Sequence, residues 1–145
     1  MDSFVMDSSG TRIAVWGAVL AGLTFLACAA YLAKPPTLTV SGDSLVIRNS
    51  LFGREIAGET IRFDETRVID LARESELQPK WRTMGVGIFK YRTGWFRLRN
   101  GEKALAFLGS GKDVLYAPTN SGYVLMFDTA DAETLLSKVK LLHRK

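Results

Sequence analysis

Hydrophobic and polar positions along this chain follow two different rhythms. From Ile13 to Ala33 the run IAVWGAVLAGLTFLACAAYLA has 21 residues without a charge, bounded by Arg12 and Lys34. As a helix it would be roughly 32 Å long against a hydrocarbon core of about 30 Å, so the first rhythm predicts a membrane-spanning helix. After Pro35-Pro36 the period drops to two. TLTV, SLVIR, EIAGETIRF, RVIDLA, GWFRLRN, KALAFL, DVLYA and YVLMF are β-branched or aromatic runs, separated by SGD, NSLFG, GSGK and TNSG. Seven or eight short strands with such turns predict a sandwich or barrel. The stretch from Glu74 to Thr93 breaks the alternation and is expected to be a longer loop with room for one short extra strand.

Asn100-Gly101 suits a two-residue type I′ turn, because both residues tolerate positive φ. That turn would set Leu98 opposite Lys103, Phe96 opposite Leu105 and Trp95 opposite Ala106. The pleat then places Phe96, Leu98, Leu105 and Phe107 on one face and Trp95, Arg97, Arg99 and Glu102 on the other. The chain ends in DTADAETLLSKVKLLHRK. Asp128 or Asp131 can cap a helix there, and Leu135, Val139 and Leu142 fall on one stripe. A helix this short needs a packing partner and is expected to close one mouth of the sandwich.

Composition narrows the chemistry. The 145 residues, less any membrane segment, supply one modest domain, and a net charge of +4 is too mild to identify a nucleic-acid binder. One cysteine, Cys28, and one histidine, His143, leave no intrachain disulfide and no Cys/His metal cluster. His143 sits in the basic C-terminal tail, a poor place for a catalytic base, and no nucleophile-base-orienter set can be named. We therefore expect no catalytic, cofactor-binding or metal residues.

Two readings of the apolar run compete. ACA at 27–29 offers a signal-peptidase site and FLAC at 25–28 loosely resembles a lipoprotein box, which would make the product an exported lipoprotein or secreted binding domain. Against this, Asp2 and Asp7 outnumber Arg12 in the leader, whereas export signals carry a positive start, and the run is long for a signal. A retained anchor is favoured. Lys34 and Arg48 outweigh Asp43 beyond it, which places the soluble part in the cytoplasm, at the cell's inner membrane. Ala14, Ala18 and Gly22 repeat at the small-xxx-small spacing that permits close helix pairing, so a homodimer stays open.

The stretch WRTMGVGIFKYRTGWFRLRNG, residues 81–101, concentrates five aromatics and five bases. GVG lacks the strand before and helix after that a phosphate fingerprint requires. Nucleic acid is not expected: acids crowd the preceding segment and no recognition motif is present. Arg82, Lys90, Arg92, Trp95, Arg97 and Arg99 form the candidate binding surface, for anionic headgroups or a protein partner, with an ordinary solvated face as the plain alternative.

RTMGVGIFKYRTGWFRLRNGEKALAFL, VLYAPTNSGYVLMF and DTADAETLL together resemble the bacterial PH-like domains of small membrane-anchored proteins. The shared features are an Arg-Thr-x-Gly turn, a Gly-Trp-Phe strand start, an Asn-Gly hairpin, a Tyr-x-Pro strand end and an acidic helix start. The resemblance implies a seven-stranded antiparallel PH-like sandwich or barrel capped by a C-terminal helix, and implies no reaction. The expected layout is a tail over 1–12, a transmembrane helix over 13–33, a linker over 34–36 and a PH-like binding or scaffolding domain over 37–145.

Overall fold

The computed structural model describes residues 9–32, 34–48, 51–88 and 91–142, with the backbone alone at 9–11, 86 and 88. They fall into two compact units, Met1–Lys34 and Pro35–Lys145. In the first, α1 (Ser9–Leu32) is a single helix of 24 residues, and its Arg12–Leu32 portion is long and apolar enough to cross a membrane. A signal sequence near an N-terminus would satisfy the same measure. The helix begins ahead of the uncharged run, so part of the expected tail is helical; Asp2 and Asp7 lie outside the described residues. Its Thr24 hydroxyl donates to Leu20 O at 2.9 Å, which satisfies the polar group within the helix itself.

The second unit is mainly β. β1 (Thr37–Ser41), β2 (Ser44–Arg48) and β3 (Arg54–Ala57) form a small antiparallel sheet. β4 (Arg67–Asp70), β5 (Pro79–Ile88), β6 (Tyr91–Leu98), β7 (Lys103–Leu108), β8 (Asp113–Pro118) and β9 (Val124–Asp128) form a larger one, ordered β4-β8-β9-β7-β6-β5. α2 (Ala132–Leu141) is the last of the described elements. Two sheets and a terminal helix are the PH-like architecture expected. The described strands number nine, and β7 pairs with β9 in parallel, unlike the wholly antiparallel arrangement anticipated. The parallel pair arises because β8 steps past one strand position. β9 then turns back antiparallel to β8 and fills the gap beside β7.

Leu45, Ile47 and Ile56 of the small sheet meet Leu105, Phe107, Leu115, Leu125 and Phe127 of the large one, and Val139 of α2 seals this core. A second core lies on the opposite face of the large sheet, where Leu77 clusters with Ile69, Phe96, Leu98, Ala104, Ala106, Val114 and Met126. Burial on both faces explains why β7, β8 and β9 read as nearly continuous apolar runs rather than clean alternations.

Three local expectations are corrected. The β6–β7 hairpin closes with Gly101 N donating to Leu98 O at 3.0 Å and Leu98 N to Glu102 O at 2.9 Å. Its loop is therefore Arg99-Asn100-Gly101, with Gly101 at φ +91° as the left-handed residue of a three-residue turn. The register moves by one: Trp95 opposes Leu105, Phe96 opposes Ala104 and Arg97 opposes Lys103. Such a slip exchanges faces. Phe96 and Leu98 turn to the second core, and Trp95 joins the inter-sheet side with Leu105 and Phe107.

The expected loop of 74–93 is largely the ten-residue strand β5. Alternation is absent there because Trp81, Arg82, Thr83 and Met84 are all exposed, so no buried face imposes it. Finally, Asp131 holds the N-cap position of α2 without a side-chain capping bond, while Asp128 serves the β7–β8 loop instead, accepting from Gly109 N at 2.8 Å and Gly111 N at 2.9 Å.

Candidate binding surface

Trp95 is the centre of a basic and aromatic cluster built from both sheets. β6 presents its indole toward the inter-sheet core, where the ring is half-buried. Tyr123, just before β9, meets it edge to face with ring centroids 5.1 Å apart. Arg54, at the start of β3, places its guanidinium carbon 5.0 Å from the Trp95 centroid and 5.9 Å from that of Tyr123. Lys103, at the start of β7, brings Nζ to 4.4 Å from the same indole. Arg97, on the same face of β6 as Trp95, donates through Nη1 to Gly101 O at 2.8 Å.

The electrostatics are one-sided. The ion pairs among the described residues are Arg62–Glu65, Arg67–Glu74 and Arg73–Asp70, so none engages Arg54, Arg97 or Lys103. A ring quadrupole attracts a cation by about 0.5–1 kcal/mol at such exposed sites, but it leaves the charge whole. The indole and phenol thus position Arg54 and Lys103 while their charge stays available to an anion. Lys103 and Tyr123 also border a cleft of about 380 Å³ with Arg62, Thr119, Asn120 and Glu102. Thr119 Oγ1 donates to Tyr123 O at 2.6 Å and steadies the turn that carries the phenol.

The six residues singled out from sequence do not share one face. Trp95 and Arg97 belong to this cluster. Arg92 and Arg99 border a separate cleft of about 330 Å³ with Gln78, Leu108 and Asp128, toward the second core. Arg82 lies on β5, where Nη1 donates to Gly85 O at 3.2 Å. Lys90, like His143, is outside the described residues. Sequence reasoning missed Arg54, Lys103 and Tyr123. A three-residue hairpin loop would have set Lys103 beside Arg97 and Trp95, but nothing local announces Arg54, which arrives from the other sheet.

Another polar contact lies on the opposite face. Tyr116 donates its hydroxyl to Glu102 Oε2 at 3.0 Å, and the Arg67 guanidinium carbon is 5.5 Å from its ring centroid. Burial, and then the hydrogen bond to the Glu102 carboxylate, push the phenol up to about 12, so it is neutral at ordinary pH and acts as a fixed donor. Arg67 is in turn held by two bonds to Glu74, at 2.8 and 2.7 Å.

Residues 37–141 match the family described as Bacterial PH domain. No curated protein matches the chain, and no solved structure does. The matched span takes in both sheets and α2, and domains of this type are suggestive of binding or scaffolding. By that match, over most of its length, the chain belongs to the bacterial PH domain family.

Proposed function

We propose that the chain is a single-pass membrane protein whose PH domain binds or scaffolds and has no catalytic activity of its own. In this reading residues 13–33 span the inner membrane, 34–36 tether, and 37–145 form the domain on the cytoplasmic side. The observation that carries it is the Trp95 indole flanked by Arg54 and Lys103, with no carboxylate among the described residues in an ion pair with either cation. Anionic headgroups attract a base near the surface by about 1 kcal/mol, and a tether keeps such a weak contact at high effective concentration. Trp95 and Tyr123 suit the same setting, since amphipathic rings favour the headgroup level. Arg97 adds charge on the same face, and Arg92 and Arg99 offer a second basic rim for a protein partner. The test is sedimentation of the unit Pro35–Lys145 with vesicles: binding to phosphatidylglycerol vesicles should exceed binding to phosphatidylcholine vesicles and fall as salt is raised. Equal binding to both lipids would leave a protein as the partner of this surface.

A further inference from the structure

The large sheet ends on β5, and β5 is the longest edge strand among the described residues, with ten residues against four in β4, five in β1 and four in β3. Unpaired edges invite pairing with another chain, and proteins usually blunt them with charge, proline or bulges. β4 is short and flanked by the Arg67–Glu74 and Arg73–Asp70 pairs, and β3 carries Arg54 and Glu55. The side chain of Arg82 reaches forward over Gly85 and Gly87, but the residues that blunt β5 sit in its first half. Pro79, Lys80 and Arg82 lie there, and so do both register shifts. From Met84 to Ile88 the register with β6 is regular and the sequence MGVGI holds neither charge nor proline.

The hydrogen bonding shows which backbone groups face outward. Gly85 O accepts from the Arg82 guanidinium, and inward and outward residues alternate along an antiparallel ladder. Gly85 and Gly87 therefore direct N–H and C=O to the open side, while Val86 pairs inward with Thr93. The close approach of Gly85 Cα to Gly94, where an added Cβ would stand 2.5 Å away, fits the narrow pair that exchanges no hydrogen bonds. The order Met-Gly-Val-Gly-Ile has the same form read in either direction from Val86.

We infer that β5 is a homodimerisation edge, on which a second copy of this chain adds its own β5 antiparallel about Val86. Gly85 then exchanges both backbone bonds with Gly87 of the second copy, and Gly87 with Gly85 of the second copy. Val86 lies opposite itself. The interface is isologous, so it closes at two copies instead of growing into a fibre, and it joins the two large sheets edge to edge. The mirrored order is what favours a second copy over an unrelated peptide. Met84, 65% exposed, flanks the junction and gains cover from it. Arg82 caps Gly85 O in the single chain and must release it on pairing.

The full chain in lipid nanodiscs, carrying Cys28→Ser, tests this. At a narrow pair the Cα atoms stand about 4.5 Å apart, within disulfide range. Val86→Cys should therefore give mostly disulfide-linked dimer on mild oxidation, whereas Ala72→Cys, on an exposed turn, should give only a trace. Gly87→Pro removes a donor that faces away from β6, so it should abolish the Val86→Cys product while the melting temperature holds. Arg82→Ala, which uncaps Gly85, should raise the dimer fraction several-fold. Cross-linking at Val86 no stronger than at Ala72, dimers that survive Gly87→Pro, or a dimer fraction lowered by Arg82→Ala would each overturn the edge-pairing interface.

Discussion

Lys103 stands with its Nζ 4.4 Å from the centroid of Trp95, and the two are brought to the same side of the sheet by the three-residue loop Arg99-Asn100-Gly101. With a two-residue turn, Trp95 would face away from Leu105 and Phe107, and Arg54 of the small sheet could not reach it. A single loop residue thus decides whether a basic and aromatic surface exists.

Trp95→Ala should destabilise the Pro35–Lys145 unit by about 2–3 kcal/mol, below the full cost of truncating a buried aromatic because the ring is half-exposed. Trp95→Phe should recover more than half of that. Urea unfolding of both variants checks it; an unchanged midpoint for the alanine variant would mean that the ring is not part of the inter-sheet packing.

Gly94 has φ +133°, and an added Cβ would meet Met84 O and Gly85 Cα. Gly94→Ala should therefore cost about 2–4 kcal/mol, through backbone strain and a clash with backbone atoms that cannot rotate away. A thermal melt within a degree or so of wild type would contradict the close β5–β6 crossing.

α2 should behave as a lid on the inter-sheet core. Val139 is fully buried there, so Val139→Asp leaves a carboxylate with no polar partner and should cost about 3 kcal/mol or more. Deleting residues 132–145 should cause early melting or aggregation. An unaltered melt in the deletion variant would show that the helix does not close the sandwich.

Tyr116 gives a pH signature. Its phenol is raised from 10.0 to about 12 in the folded chain, so between those values the native state keeps a proton that the unfolded chain has lost. This contribution is complete below about pH 10 and falls away as pH rises toward 12. Tyr116→Phe should cost about 1 kcal/mol at neutral pH through the lost bond to Glu102, and should lose less stability than wild type across the alkaline window. Denaturant midpoints measured against pH decide it; parallel curves would remove Tyr116 as the cause.

The anchor has its own check. Alkaline carbonate should leave the full chain in the membrane pellet, and intact mass should show Asp2 and Asp7 still attached. Recovery in the soluble fraction, or a mature chain starting near Ala30 or lipidated at Cys28, would turn α1 into a signal sequence.

Much of the fold was legible because burial imposes a period. The short β-branched and aromatic runs between turn residues marked β6 to β9, the stripe of Leu135, Val139 and Leu142 marked α2, and the uncharged run marked α1. β5 was not legible, since Trp81 to Met84 are exposed and two glycines follow, leaving no alternation to detect. The hairpin register was missed because Asn-Gly serves both two- and three-residue turns, and only the buried partner of Phe96, Ala104, chooses between them. The candidate surface was half legible for the same reason. Trp95 and Arg97 stood out locally, whereas Arg54 joins them through sheet-on-sheet packing that no local spacing records.

The basic and aromatic surface is put to the test by vesicle sedimentation of Pro35–Lys145 carrying both Arg54→Glu and Lys103→Glu, with the melting temperature followed alongside to confirm folding. Wild type should prefer phosphatidylglycerol over phosphatidylcholine vesicles, and the double variant, still folded, should bind the two alike. A folded double variant that keeps the full anionic preference would contradict the role assigned to Arg54, Trp95 and Lys103.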